Sequence, residues 1–266
     1  MTTTQRMPIV FFGHGSPMVA IETNAISRSW AAIAAGLPRP KAILCISAHW
    51  ETSVTVVTAM DRPRTIHDFG ASFPQALFDM QYPAPGDPAL ARRVAELLAP
   101  TPVALDDRQW GFDHGTWSVL VKAYPNADIP VVQLGMDVNL TPAQRFDIGR
   151  RLAPLRDEGV LIMGSGNIVH NLPAMNFGQR DITPYDWSTR FLDEIRAAVV
   201  ADEPQRVIDF AGLGEDAKRA APTPEHFWPL IYVLGARDPG ESVRLINDRV
   251  EHGSLGMTSL VFDKAA

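Results

Sequence analysis

Short runs of apolar and β-branched residues punctuate the chain: PIVFF (8–12), KAILCISA (41–48), SVTVVTAM (53–60), IPVVQLGM (129–136), GVLIMGSG (159–166) and TSLVFD (258–263). Runs of this length and composition read as buried strands. Helical patterns lie between several of them. DPALARRVAELLA places Leu90, Val94, Leu97 and Leu98 on one stripe. TPAQRFDIGRRLAPLR opens on Thr141, a candidate N-cap, and carries Phe146, Ile148 and Leu152. YDWSTRFLDEIRAAVV carries Trp187, Phe191, Ile195 and Val199 at helical spacing. Strands alternating with helices predict an α/β fold with a central, mostly parallel or mixed sheet flanked by helices. No repeat or low-complexity linker divides the chain, so residues 1–266 are expected to form a single domain. Its active residues should gather in loops beyond the carboxyl ends of the strands.

The segment Met60–Pro88 departs from this alternation. It is long for a loop in a compact domain and rich in proline, glycine and aromatics, and such loops are usually functional or disordered. Phe69, Phe73, Phe78 and Tyr82 argue against disorder. The segment is expected to be a folded flap over a pocket.

Composition narrows the function classes. The 266 residues are 46% apolar, enough for a large core, with 24 basic and 30 acidic side chains and a formal net charge of −6. No basic block occurs, which argues against a nucleic-acid partner. Cys45 is the only cysteine, so no internal disulfide can form; inside KAILCISA it reads as a buried strand residue. The N-terminal apolar stretch is too short for a secretory signal, and no run approaches a membrane span. A cytoplasmic protein without a membrane partner is expected, and homo-oligomerisation is left open.

The candidate chemistry lies in the seven histidines. His14 follows the first strand between Gly13 and Gly15, His49 follows KAILCISA, and His170 follows GVLIMGSGN. Three histidines at the ends of three apolar strands could converge at one sheet edge, and imidazole is a common ligand for zinc, iron and copper. Any one alone is more often an ordinary half-buried histidine. His226 sits in APTPEHFWPL, stiffened by Pro222, Pro224 and Pro229 and anchored by Phe227 and Trp228; Glu225 beside it could supply a carboxylate, or the segment could simply start a helix. His114 follows Asp113, which could orient an imidazole or cap the helix that follows. His67 lies on the flap. His252, in a polar stretch bounded by glycine, is expected at the surface. No H-E-x-x-H, paired CxxC, dinucleotide fingerprint or GxSxG elbow is present. Spacing alone therefore supports only a long-range histidine metal site.

Taken together, GHGSP, ISAHW, IHDFGASFP with YPAPG, DHGTWSVL, GSGNIVHNL and PTPEHFWPL resemble the class III extradiol ring-cleavage dioxygenases, closest to their single-chain 4,5-DOPA dioxygenase extradiol branch. The likeness runs over nearly the whole chain. It implies the fold of that family's catalytic subunit, with His14, His49 and His226 binding one divalent metal ion, Zn2+ or Fe2+. It also implies that His170 lies against the metal, as a further ligand or as the acid–base residue. His114 would line the substrate side as a second catalytic histidine, and the flap, with Phe69, Phe73 and His67, would contact substrate. Better-known members use two histidines and a glutamate; an all-histidine set is more positive by one charge and also suits zinc, which has no redox chemistry. The implied substrates are a catechol and dioxygen. Two alternatives stand beside this one: a zinc-dependent hydrolase or lyase on the same scaffold, and a non-enzymatic interaction protein resembling the Memo family.

Overall fold

Neighbouring residues of the first strand bury on opposite sides of the sheet. Ile9 and Phe11 enter one core, while Val10 and Phe12 enter the other. Ile43 and Cys45 similarly separate from Leu44 and Ile46. Side chains alternate faces along a strand, and here both faces are covered, so the strands are apolar throughout. The computed structural model describes residues 6–263.

The strands in chain order are β1 (Ile9–Gly13), β2 (Ala42–Thr52), β3 (Val56–Thr58), β4 (Arg64–Thr65), β5 (Ala104–Asp106), β6 (Gly111–Phe112), β7 (Val131–Asp137), β8 (Val160–Gly166), β9 (Ser242–Ile246), β10 (Val250–Glu251), β11 (Leu255–Gly256) and β12 (Ser259–Asp263). Eight of them form one sheet in the order β5-β3-β7-β2-β8-β1-β12-β9. The central four, β7-β2-β8-β1, are parallel, whereas β3 joins β7 and β12 joins β1 antiparallel. The sheet is therefore mixed around a parallel centre, as the sequence predicts. The run at 53–60 is only a three-residue strand, because Val54 projects from the surface with 53% exposure.

The helices follow their sequence signals. Asp87 caps Pro88–Leu97 by accepting from the amides of Ala89 and Leu90. Thr141 and Gln144 form a reciprocal capping box at Pro142–Leu152. Asp186–Val200 buries Phe191, Ile195 and Val199 as expected. Helices Pro142–Leu152, Asp186–Val200 and Trp228–Ala236 cover one face; Ala25–Gly36 and His114–Ala123 cover the other. Cys45 is fully buried in β2, its sulfur 3.3 Å from Thr116 Oγ1, and burial pushes its thiol pKa up.

Residues 60–88 are folded. The Ile66 amide donates to Phe112 O at 2.7 Å, the Trp117 indole donates to Ile66 O at 2.8 Å, and the Tyr82 hydroxyl donates to Tyr124 O at 3.0 Å. These bonds hold the segment over one end of the sheet. Among the described residues, no helix is long and apolar enough to cross a membrane.

Candidate metal centre and its cavity

β2, β8 and β1 are adjacent and parallel, so their carboxyl ends lie side by side. His14 directly follows β1, and its amide donates to Gly166 O at 3.1 Å. His49 lies within β2, where the pairing with β7 shifts register between Ile46 and Glu51. His170 is four residues beyond β8, and its amide donates to Ala220 O at 2.7 Å. His226 arrives from a distant turn. The Asn167 amide holds its carbonyl at 2.8 Å, and a Cβ on Gly166 would collide with that same carbonyl oxygen. Glycine at 166 thus permits the approach of backbone that brings the fourth histidine in. Phe227, stacked on Phe210 at 4.1 Å, and Trp228, under the Arg145 guanidinium at 3.7 Å, fasten the turn.

His14, His49 and His226 each offer a ring nitrogen, and the three atoms lie within 4.8 Å of one another. Their outer nitrogens face acceptors. His14 Nδ1 is 3.0 Å from Ser165 Oγ, whose own hydroxyl donates to Gly115 O and so can only accept from the ring. His226 Nδ1 is 2.9 Å from Glu225 Oε1, and His49 Nδ1 faces Asp68 Oδ2 at 3.3 Å. His14 and His226 are thereby set with the proton on Nδ1 and the lone pair on Nε2, whereas Asp68 approaches His49 Nδ1 without a hydrogen bond. His14 Nε2 and His49 Nε2 are 3.2 Å apart. At that distance the two nitrogens share either a proton or a cation, and three converging imidazole nitrogens are a donor set that fits a divalent metal.

Burial also favours neutral rings. It is the main cause that lowers the pKa of His14 and His226 well below the ordinary imidazole value, aided by neighbouring histidines. Burial, then the charge of His114, lowers His49 to about 3. Burial lowers His170 to about 4. Neutral imidazole is the form that binds metal or accepts a proton.

His114 is the first residue of its helix, and the carboxylate nearest its ring is Asp68 rather than Asp113. Asp113 caps the helix through the Thr116 amide and is otherwise bound by Ser47 Oγ at 2.6 Å and by Gln133 Nε2. Asp68, from the 60–88 segment, accepts the His114 amide at 2.8 Å and stands 3.0 Å from His114 Nδ1, off the line of the ring N–H. Burial pushes the Asp68 pKa up, but its contacts with His114, and then with His49, outweigh that and hold the carboxyl below its ordinary value. Sequence adjacency pointed to Asp113; the partner comes instead from 46 residues upstream. His170 lies outside the close trio of His14, His49 and His226, but with Glu225 and His226 it forms a second close set of possible ligand atoms. Its ring stacks on that of His226, with centroids 3.4 Å apart and planes 9° from parallel.

These groups form the floor of a cavity of about 580 Å³. Phe69 and Phe73 line it, and so do Leu172, Met175, Phe177 and Arg180 from the loop after His170. His67 does not line it: Nε2 donates to Met80 O at 2.9 Å, and the ring packs against Phe69 and Trp117, bracing the segment from within. His252, expected at the surface, is half-buried and lines the cavity, with Nδ1 2.8 Å from Asn176 O. Loop-to-loop packing, which local polarity does not report, brings it in.

A mixed α/β sheet with a histidine cluster at its parallel strand ends, lined by aromatic side chains, is the arrangement of a metal-dependent enzyme. The chain belongs to the family described as the catalytic LigB subunit of aromatic ring-opening dioxygenase, which matches residues 8–263, and is thus a class III extradiol dioxygenase. It is 50% identical over 261 residues to 4,5-DOPA dioxygenase extradiol of Escherichia coli, covering 97% of this chain and 95% of that one. The protein of the same name from Beta vulgaris is 37% identical over 258 residues, covering 95% of each. A crystal structure of an uncharacterized Escherichia coli K12 protein superposes with a TM-score of 0.85 at 45% identity, covering 97% of this chain and 100% of that one. Membership makes the chain an enzyme rather than an interaction module.

Proposed function

We propose that the enzyme opens a catechol-type ring beside its diol, inserting both atoms of dioxygen, at one metal ion held by His14, His49 and His226. The convergence of these three ring nitrogens, with hydrogen-bond partners behind His14 and His226 and the Asp68 carboxylate near His49, carries the reading. The same names borne by the relatives support it. Ferrous iron bound there would acidify the catechol hydroxyls and accommodate dioxygen beside the ring, whereas zinc, lacking redox states, would suit only the first task.

The chain's own residues do the rest. His170, neutral near pH 7 and outside the trio, takes a proton from a catechol hydroxyl and returns it as the ring opens. His114, whose Nδ1 side is occupied by Asp68, has Nε2 left for the substrate. Phe69 and Phe73 flank the aromatic ring, and the 60–88 segment acts as the flap that excludes water.

Anaerobic reconstitution with ferrous iron or with zinc, followed by oxygen-uptake measurements on a panel of catechols, tests this. Oxygen uptake matched to ring opening is expected with iron alone. Failure of the iron form to consume oxygen with any catechol would overturn the proposal, and hydrolysis or lyase turnover by the zinc form would put the alternative in its place.

A further inference from the structure

Apart from the histidines, only two side chains lining the cavity are ionisable among the described residues. Asp68 is turned toward His49 and His114. The other, Arg180, is the only arginine or lysine of the lining among the described residues; Leu172, Met175 and Phe177 from the same loop line the cavity with it, as does His252. Its side chain is 35% exposed. It is also held in place. Its carbonyl accepts from the His252 amide at 2.7 Å, Nη2 donates to Glu22 Oε2 at 3.0 Å, and Nε stands 3.7 Å from Glu251 Oε2. Glu22 is fixed by Asn24 Nδ2 at 2.8 Å, and the buried Glu251 is paired with Arg249 at 2.6 Å. Nη1 makes no hydrogen bond among the described residues. A guanidinium braced on one edge and open on the other suits a carboxylate arriving from the cavity, because the planar fork loses little freedom on binding.

The cavity has room for more than a bare ring. With the diol at the histidine cluster and the ring between the aromatic wall and Leu172 and Met175, a ring substituent extends toward the loop that carries Arg180. We propose that Arg180 anchors a carboxylate on that substituent, so that the site selects catechols with an anionic tail over neutral and cationic ones. This rests on the catechol reading of the cavity. Without a carboxylate to meet it, the open edge of the guanidinium would lose its water when the cavity fills and gain nothing in exchange. An ammonium tail would also meet like charge.

The test compares 3-(3,4-dihydroxyphenyl)propanoate with 4-ethylcatechol, which lacks only the carboxylate, on the wild type, Arg180→Gln and Arg180→Lys. In the iron-loaded enzymes the readout is the ratio of kcat/KM for the two compounds; in the zinc-loaded proteins it is the ratio of calorimetric Kd values. Arg180→Gln should lower the preference for the acid by about tenfold or more, and Arg180→Lys should restore part of it. A ratio that stays within about twofold of wild type overturns the assignment and leaves Arg180 a loop tether. Should wild type turn over neither compound, the dioxygenase reading fails, while the calorimetric ratio still decides for or against Arg180.

Discussion

His170 lies face to face with His226, the ring centroids 3.4 Å apart and the planes 9° from parallel. A ring stacked on a ligand's face is close to the centre without standing among the convergent nitrogens of His14, His49 and His226. The proposed site gives metal binding to that trio and proton transfer to His170. His170→Ala should keep most of its iron after reconstitution yet lose about 10²–10⁴-fold in rate. His14→Ala should fail to retain the metal. Metal analysis beside oxygen uptake checks both, and loss of iron from the His170 variant would remove its acid–base role.

At the proposed metal site, Glu225 and Asp68 would act through the rings they touch. Glu225 Oε1 is 2.9 Å from His226 Nδ1, and Asp68 Oδ2 is 3.3 Å from His49 Nδ1. Glu225→Gln and Asp68→Asn keep the shapes but remove the charges that favour a proton on Nδ1. Each should weaken zinc binding by about 10–100-fold in competition with a chromophoric chelator. Unaltered affinity in both variants would show that the trio orients itself.

Phe69 and Phe73 sit with ring centroids 5.3 Å apart on the cavity wall, and Phe69 also meets the His114 ring edge-on at 5.7 Å. Truncating either to alanine removes aromatic surface from the substrate without touching the three ligands. KM for a simple catechol should rise about 5- to 30-fold in each, from about 1–2 kcal/mol of lost contact, with metal content close to wild type. Unchanged KM in both variants would take the flap out of substrate binding.

The parts of the site that can be read from sequence are those tied to strand ends. His14, His49 and His170 are legible because each follows an apolar run, and three adjacent parallel strands put all three at one edge. His226 is legible through the prolines and aromatics that stiffen its turn. The groups behind the rings are not legible in this way. Asp68 reaches His114 only because the 60–88 segment folds back over the sheet, so the neighbouring Asp113 looks the better partner until its oxygens prove to be taken by Ser47, Gln133 and the Thr116 amide. Ser165 hides inside an apolar strand, where its role depends on Gly115 accepting its hydroxyl. His252 adopts a positive φ of 53° in a loop whose position is set by contacts with Asn176 and Arg180. Periodicity reports which face of an element is buried, whereas these contacts join separate loops.

Acid should destabilise the metal-free protein through the same histidines. In the unfolded chain each imidazole titrates near an ordinary value of about 6.5. In the folded chain, burial lowers His170 to about 4 and His49 to about 3, and holds His14 and His226 well below the ordinary value. Between about pH 6.5 and pH 4 the unfolded state therefore binds more protons than the native state, so stability rises with pH across that window and falls as acid is added. Above about pH 7 both states are unprotonated at these sites, and the contribution is flat. The Tm of the metal-free protein should accordingly be level from about pH 8 to pH 7 and fall steadily below about pH 6.5. His170→Asn, which removes one of these four bases, should make the fall shallower. Zinc should raise Tm at neutral pH by binding only the folded state, and that gain should vanish in the same acid window as protons compete for the rings. A metal-free Tm that stays level down to about pH 4.5, measured by scanning calorimetry, would mean that the cluster does not hold its histidines neutral.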